Sequence, residues 1–434
     1  MRLSNLYIPA VALLCFGYPL TTIAATLAGL PVGQVNILLK ALYAGIFLVS
    51  LMLSFRTSSA KIPIITVPLF LFFVIYGLRL VTDLYLRGVY APLSSPTYTV
   101  SYYFLLTFLP ALSVAVSFRP SDMSLISTWI QAVLFLSTIM IFVQLQQSGS
   151  QFLLAIANER LELRAEGEAA ARLSAITIGL TGGALAIMSI AQLSLNIKEQ
   201  GRLRLLLSVA GVVLGLGALF LAGSRGPMLA FLASLCLLVL GILRTKLLRR
   251  GRQSGISNRS FILIVAMIIG AVFAFQRADT MFIALERLLT TFTELGSGGH
   301  TEVRIYIAFD ALRNVANSPF LGSGHLALNN TAYTHNSILE AMMATGLFGG
   351  ALFLGSLMIV ISQVWKVLSL RRDPLAFPLA PVVVSLLVIS LFSASISQSP
   401  EIWVSVFLFL TIASRAKSAA PRTSGEQNAQ PAPN

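Results

Sequence analysis

Apolar residues in this chain gather in long blocks that charge does not interrupt, among them 205–222 and 261–275. The blocks show neither the alternation of a half-buried strand nor the one-sided stripe of a soluble helix. Their length is close to the roughly 20 residues that a helix needs to cross the hydrocarbon core of a bilayer. Twelve spans are expected, at about 6–29, 35–54, 62–84, 98–118, 123–146, 173–195, 204–222, 227–243, 260–276, 336–363, 377–397 and 401–414. The first has only Arg2 ahead of it and is too long for the apolar region of a signal peptide, so it is read as a span. The expected fold class is all-α, a polytopic membrane domain over residues 1–418. A tail rich in Pro, Ala, Gln and Asn over 419–434 is expected to be disordered and cytoplasmic.

Composition narrows the class. Of 434 residues, 56% are apolar and 11% charged, too few charges for a chain whose surface faces water, where about 25% is usual. The net charge of +14, from 30 Lys+Arg against 16 Asp+Glu, raises nucleic acid as a partner. The placement of the charges removes that reading. With the N-terminus in the cytoplasm, 19 cations fall in cytoplasmic segments and nine outside, while Lys40 and Arg79 lie within spans. This asymmetry predicts an N-in, C-in topology. It also assigns the cytoplasmic cations to topogenesis and to contact with anionic membrane lipids. The two cysteines, Cys15 and Cys236, sit inside apolar runs and read as small hydrophobes without a disulfide or metal framework.

The outer side carries the unusual chemistry. Its loops cover about 147–172 and 277–335, the second lying between spans 9 and 10 and holding all three histidines, His300, His325 and His335. Short helices are expected in that second loop. One is marked by the helical spacing of Met281, Leu285, Leu288, Phe292 and Leu295, and is expected to lie on the membrane. Another covers Thr301–Asn317, where Glu302, Tyr306, Asp310 and Arg313 share a face and Arg304 points nearly the opposite way. Lys40 and Arg79 lie near the outer ends of their spans, with Asp83 one turn beyond Arg79. Ionisable residues inside a membrane are functional candidates, although snorkelling and an i,i+4 ion pair explain these equally well.

Three outer sites stand out. Ser224-Arg225-Gly226-Pro227 joins spans 7 and 8, with Pro227 suited to the first helical position. A guanidinium beside free helix-start amides makes a phosphate site. Arg172 stands at the membrane boundary of the first loop, after a run in which Arg160 and Arg164 alternate with Glu159, Glu162, Glu166 and Glu168. That run reads as a salt-bridged helix. The third site begins with Pro319, Gly322 and Gly324 and continues through Thr334, His335, Asn336 and Ser337. Ser337 and Glu340 have capping-box spacing, and Gly346 and Gly350 would allow close helix packing.

Together these residues resemble the O-antigen ligase/polymerase superfamily of bacterial envelope enzymes. A His, an Asn, nine residues and a Gly-x-x-Gly are met by His335, Asn336, the stretch 337–345, and Gly346 with Gly349. The Ser-Arg-Gly turn is met by Ser224, Arg225 and Gly226. An Arg on a loop helix, then a Pro and a Gly-x-Gly, is met by Arg304, Pro319, Gly322 and Gly324. The signature region covers about 205–365, while the first five spans match in topology only.

The resemblance implies transfer of a glycan from an undecaprenyl diphosphate carrier to a hydroxyl of lipid A-core or of a growing polysaccharide. The reaction would take place at the periplasmic face of the bacterial inner membrane. It implies His335, Arg225 and Arg172 as catalytic residues, with Arg160 and Arg164 as alternatives to the last. Arg304, Asn336, Arg79, Lys40 and Ser224 are the expected substrate-binding residues. Gly226, Gly322, Gly324, Glu340, Gly346 and Gly349 are expected to shape the site. Neither cofactor nor metal is expected, and the chain has no Asp-x-Asp, P-loop or His-Glu-x-x-His. Ligase and polymerase share the donor and differ in acceptor; the complete His/Asn/Gly-x-x-Gly stretch favours the ligase. A flippase or transporter is the rival of another class, but polar residues at one face suit it less than a midplane site would.

Overall fold

The computed structural model describes residues 4–56, 62–89, 95–119, 122–147, 163–164, 172–195, 202–248, 300–327, 332–370 and 375–419. Its elements are α1 (Ser4–Phe16), α2 (Tyr18–Leu27), α3 (Val32–Arg56), α4 (Val67–Val81), α5 (Pro96–Tyr102), α6 (Leu109–Ser117) and α7 (Met123–Gln147). Next come the short strands β1 (Leu163–Arg164) and β2 (Arg172–Leu173). The second half contains α8 (Ala175–Leu193), α9 (Arg202–Leu221), α10 (Arg225–Leu248), α11 (His300–Asn317), α12 (Ser337–Leu370), α13 (Leu379–Ser390) and α14 (Pro400–Ala419). The expected span at 260–276, the surface helix around 281–295, Arg160 and nearly all of the tail lie outside the described residues.

The architecture is all-helical among the described residues, apart from the small β1–β2 ladder. Among the described residues, eight helices are long and apolar enough to cross a membrane, or nine if the bent α1–α2 pair counts as one span. That pair occupies the span expected at 6–29 and is sharply bent. The two halves meet at 88°, because Pro19 follows the break and lacks the N–H that would continue the ladder. The segment expected as one span at 377–397 is also divided. Only Leu379–Ser390 is helical, 12 residues long, or about 18 Å at the helical rise. The next stretch alternates Ser393, Ser395, Ser397 and Ser399 before Pro400, side chains that offer the backbone local alternatives to a helix.

The centre of the bundle is α8, buried along nearly its whole length. It packs on α7, α9, α10 and α13. Small residues permit the closest of these approaches. A Cβ on Gly182 would stand 2.6 Å from the Gly215 carbonyl of α9, the spacing that lets two membrane helices touch backbone to backbone. Farther along, α12 packs on α4, α10, α11 and α13, so the signature region meets the first half of the chain through α4. The run at 159–172, expected as a helix, instead ends in an antiparallel pairing that sets Arg164 opposite Arg172.

Candidate functional site

The site forms where α12 begins. Asn336 caps this helix, its Oδ1 accepting from the amides of Ile338 and Leu339 at 3.0 Å each. The expected capping box is therefore not made. Ser337 instead meets Ser390 at the end of α13 (3.0 Å), and Glu340 turns inward. The other end of the Asn336 amide donates to the Leu391 carbonyl (3.2 Å). Both ends of a residue expected to bind substrate are thus engaged by the protein.

His335 stands just before the cap with φ of 53°, the only positive φ outside glycine among the described residues. Histidine enters this region more easily than most side chains. A neighbouring turn supports the conformation here: Thr334 Oγ1 donates to the Asn336 carbonyl at 3.0 Å. The ring is half-buried. Burial and the nearby Arg304 guanidinium hold its pKa below the usual imidazole value, so the ring is neutral at pH 7 and ready to accept a proton.

Arg304 reaches the same place from α11. That helix buries Ile307, Ala311 and Val315 against Met343 of α12, while Arg304 Nη1 donates to the Phe392 carbonyl (3.0 Å). Of the two arginines that sequence placed on opposite faces, Arg304 is the one beside His335. The carbonyl end of α13 is the negative end of its dipole, which favours a guanidinium.

The third component is the start of α10. Ser224 immediately precedes the helix and Arg225 is its first residue, so Pro227 is third rather than first. Gly223, with φ of 59°, makes the turn possible. A Cβ on Gly226 would stand 3.1 Å from Ile389 and 3.8 Å from Ser393. The turn at 389–393 is therefore common ground for the Ser224–Gly226 motif, Arg304 and Asn336. Arg172 lies in β2, two residues before Ser174, the N-cap of α8.

At Gly346, expected to allow helix packing, the close neighbour is a loop instead. Gly346 interrupts α12, with φ of 71° and ψ of −175°, and a Cβ there would collide with the Phe320 carbonyl. The Pro319 carbonyl accepts from Leu347 N at 2.7 Å, across the break. Gly322, with φ of 73°, lies against Met343, whose carbonyl accepts from Ser323 (2.9 Å) and Gly324 (3.3 Å). The Gly-x-Gly and Gly-x-x-Gly motifs thus form one interlocked unit. A Cβ on Gly349 would strike Thr345.

Two further polar centres support this end. Glu340 is buried and accepts from the Tyr76 hydroxyl, from Ser395 Oγ (3.0 Å) and from the Ile396 amide (3.0 Å). Asp83, also buried, lies in a π-turn over Thr82–Leu86 that continues α4. It pairs with Arg79 (3.0 Å) and Arg87 (3.1 Å), and meets the His325 amide and Nδ1 at 3.1 and 3.3 Å. The arginines also donate to loop carbonyls, Arg79 to Leu321 (3.4 Å) and Arg87 to Ser323 (2.5 Å). Arg79, expected to bind substrate, thus fastens the Gly-x-Gly loop to α4. Sequence reading missed Arg87 and His325 as parts of this centre; the signal was an intramembrane Asp with arginines four residues before and after it. Lys40 lies over the ring of Tyr102 (4.7 Å) on α5, a cation–π arrangement, and does not join the turn at 389–393. Among the described residues, no three His, Cys, Asp or Glu side chains are grouped to hold a metal.

Residues 210–354 match the family model described as O-antigen ligase, which supports the O-antigen ligase/polymerase superfamily for this region. The matched range contains Ser224, Arg225, Arg304, His335 and the interlocked glycines. No curated protein matches the chain.

Proposed function

From a membrane chain that carries an O-antigen ligase region, and hence has a role in glycan processing, we propose a glycosyltransferase. Its donor is a glycan on undecaprenyl diphosphate and its acceptor a hydroxyl on lipid A-core or another surface glycan. The observation that carries this reading is the convergence of three motif segments on the turn at 389–393: Gly226, next to Arg225, lies against Ile389, Arg304 donates to the Phe392 carbonyl, and Asn336, next to His335, donates to the Leu391 carbonyl.

In the proposed reaction, neutral His335 takes the proton from the acceptor hydroxyl as its oxygen attacks the anomeric carbon. The new carbon–oxygen bond replaces the bond to the diphosphate, which leaves on its carrier lipid. Arg225, at the positive end of α10, holds the diphosphate as charge develops, together with the first amides of that helix. Arg304 and Arg172 supplement this charge, and Ser224 shapes the turn. Lys40, Arg79 and Asn336 hold the scaffold. We place the active end in the periplasm of a bacterial inner membrane, with N-in, C-in topology, twelve spans and residues 1–418 as one domain.

A polymerase would use the same donor, and the envelope glycans of a deletion strain separate the two readings. A missing ligase leaves long chains on the carrier lipid, whereas a missing polymerase leaves single repeat units on the final acceptor. Unchanged glycans in that strain would contradict both.

A further inference from the structure

Glu340 stands out as a buried carboxylate that the proposed chemistry does not use. It lies one turn into α12, and every hydrogen bond it accepts comes from outside that helix. A carboxylate withdrawn from water is costly unless donors surround it. Those donors come from two places, α4 through Tyr76 and the segment just after α13 through Ser395 and Ile396. Tyr103 is a further neighbour on the buried side. Ser395 and Ser397 join at 3.1 Å within the same segment.

Besides Glu340, the segment is held by burial of Ile396, by Gln398 Nε2 donating to the Tyr333 hydroxyl (2.7 Å) and by turn bonds such as Ser393 N to the Ile389 carbonyl (2.9 Å). It follows the end of α13 and precedes α14, with no regular helix between Leu391 and Ser399. Yet its first residues do precise work, since the Leu391 carbonyl accepts from Asn336 and the Phe392 carbonyl from Arg304. Only three residues separate Phe392 from Ile396. An anchor on Ile396 therefore restrains Phe392 through a few backbone torsions.

We infer that Glu340 is a positioning residue, tying the 395–396 segment to α4 and α12 so that the Leu391 and Phe392 carbonyls hold Asn336 and Arg304 beside His335. The inference rests on the function proposed above. It assigns the Glu of the His-Asn-x-x-x-Glu stretch to orientation of the site, not to capping or to proton transfer. Its path runs from Glu340 through Ile396 and Phe392 to Arg304, and from Arg304 to His335. Burial and the charge of Arg304 together lower the His335 pKa.

The test is the pH dependence of kcat/KM for the full chain in liposomes, with a lipid-diphosphate glycan as donor. Glu340→Gln keeps the volume but removes the charge and replaces one of the two acceptor oxygens by an N–H₂, which weakens the hold on the segment. The acid limb, set by His335 in the wild type, moves up toward the ordinary imidazole value of about 6.5. Arg304→Gln moves it the same way, and the double variant moves it no further. An unmoved limb in Glu340→Gln beside a moved one in Arg304→Gln overturns the inference alone, as does a double variant that shifts by the sum. An unmoved limb in Arg304→Gln overturns it together with the pairing of Arg304 and His335. If Glu340→Gln does not insert, Ser395→Ala serves. It removes one donor and keeps the carboxylate, so a smaller shift in the same direction is expected and no shift would contradict the inference.

Discussion

Gly346 lies directly against the carbonyl of Phe320, closer than any Cβ would allow. Its φ of 71° also lies where side chains other than glycine are strained. Both reasons act at once, so Gly346→Ala is expected to cost at least the roughly 1–3 kcal/mol of a strained backbone position. A lower thermal midpoint of the detergent-solubilised protein checks this. A midpoint equal to that of the wild type would mean that the Pro319–Phe320 loop does not enter the break in α12.

Asp83 is expected to be the more sensitive position of the charge centre. Asp83→Asn would leave Arg79, His325 and Arg87 around a neutral amide. Removing one partner of a buried ion pair costs about 3–5 kcal/mol. The low end applies here, because Arg87 is 46% exposed and water replaces part of what it loses. Heat denaturation of the variant reads the loss, and glycan transfer is expected to fall with it, since the loop at 321–325 is released. Arg87→Ala is expected to cost less than Asp83→Asn; the reverse order would contradict this arrangement.

Asn336 separates capping from substrate binding. Asn336→Ala is expected to lose about 1 kcal/mol of stability with the cap. Serine also caps helices, so Asn336→Ser is expected to recover most of that loss. Equal thermal midpoints for the two variants would argue against a capping role.

The lowered pKa of His335 has two consequences with the same sign. As a base it works when neutral, so transfer is expected to hold through pH 7 and decline only below about 6.5, the ordinary imidazole value. Folding also disfavours its protonation. The unfolded chain therefore binds more protons as pH falls through about 6.5 toward the lowered value, and stability drops over that window. A rate profile with its acid limb above pH 7 would contradict the neutral ring.

Much of the helix placement was legible because hydropathy alone fixes it. Eight of the expected spans coincide with helices long enough to cross a membrane. The two divided ones, at 6–29 and 377–397, carry local breakers that an average over twenty residues hides: Pro19 in the first, and alternating serines ahead of Pro400 in the second. Within the site, His335, Arg225 and Arg304 could be singled out because ionisable residues are rare in this chain. The turn on which Arg304 and Asn336 meet could not, since the carbonyls of Leu391 and Phe392 belong to apolar residues with no mark in the sequence. Glu340 was misread for a related reason. Capping-box spacing is a local rule, and here a partner 264 positions away, Tyr76, competes successfully for the carboxylate.

The most direct measurement is glycan transfer by purified protein in liposomes, from a lipid-diphosphate donor to a hydroxyl acceptor, for the wild type, His335→Ala and Arg225→Ala. Transfer by the wild type and its loss in both variants, with normal insertion and little change in thermal midpoint, is the expected result. Wild-type transfer rates in both variants would contradict the central claim.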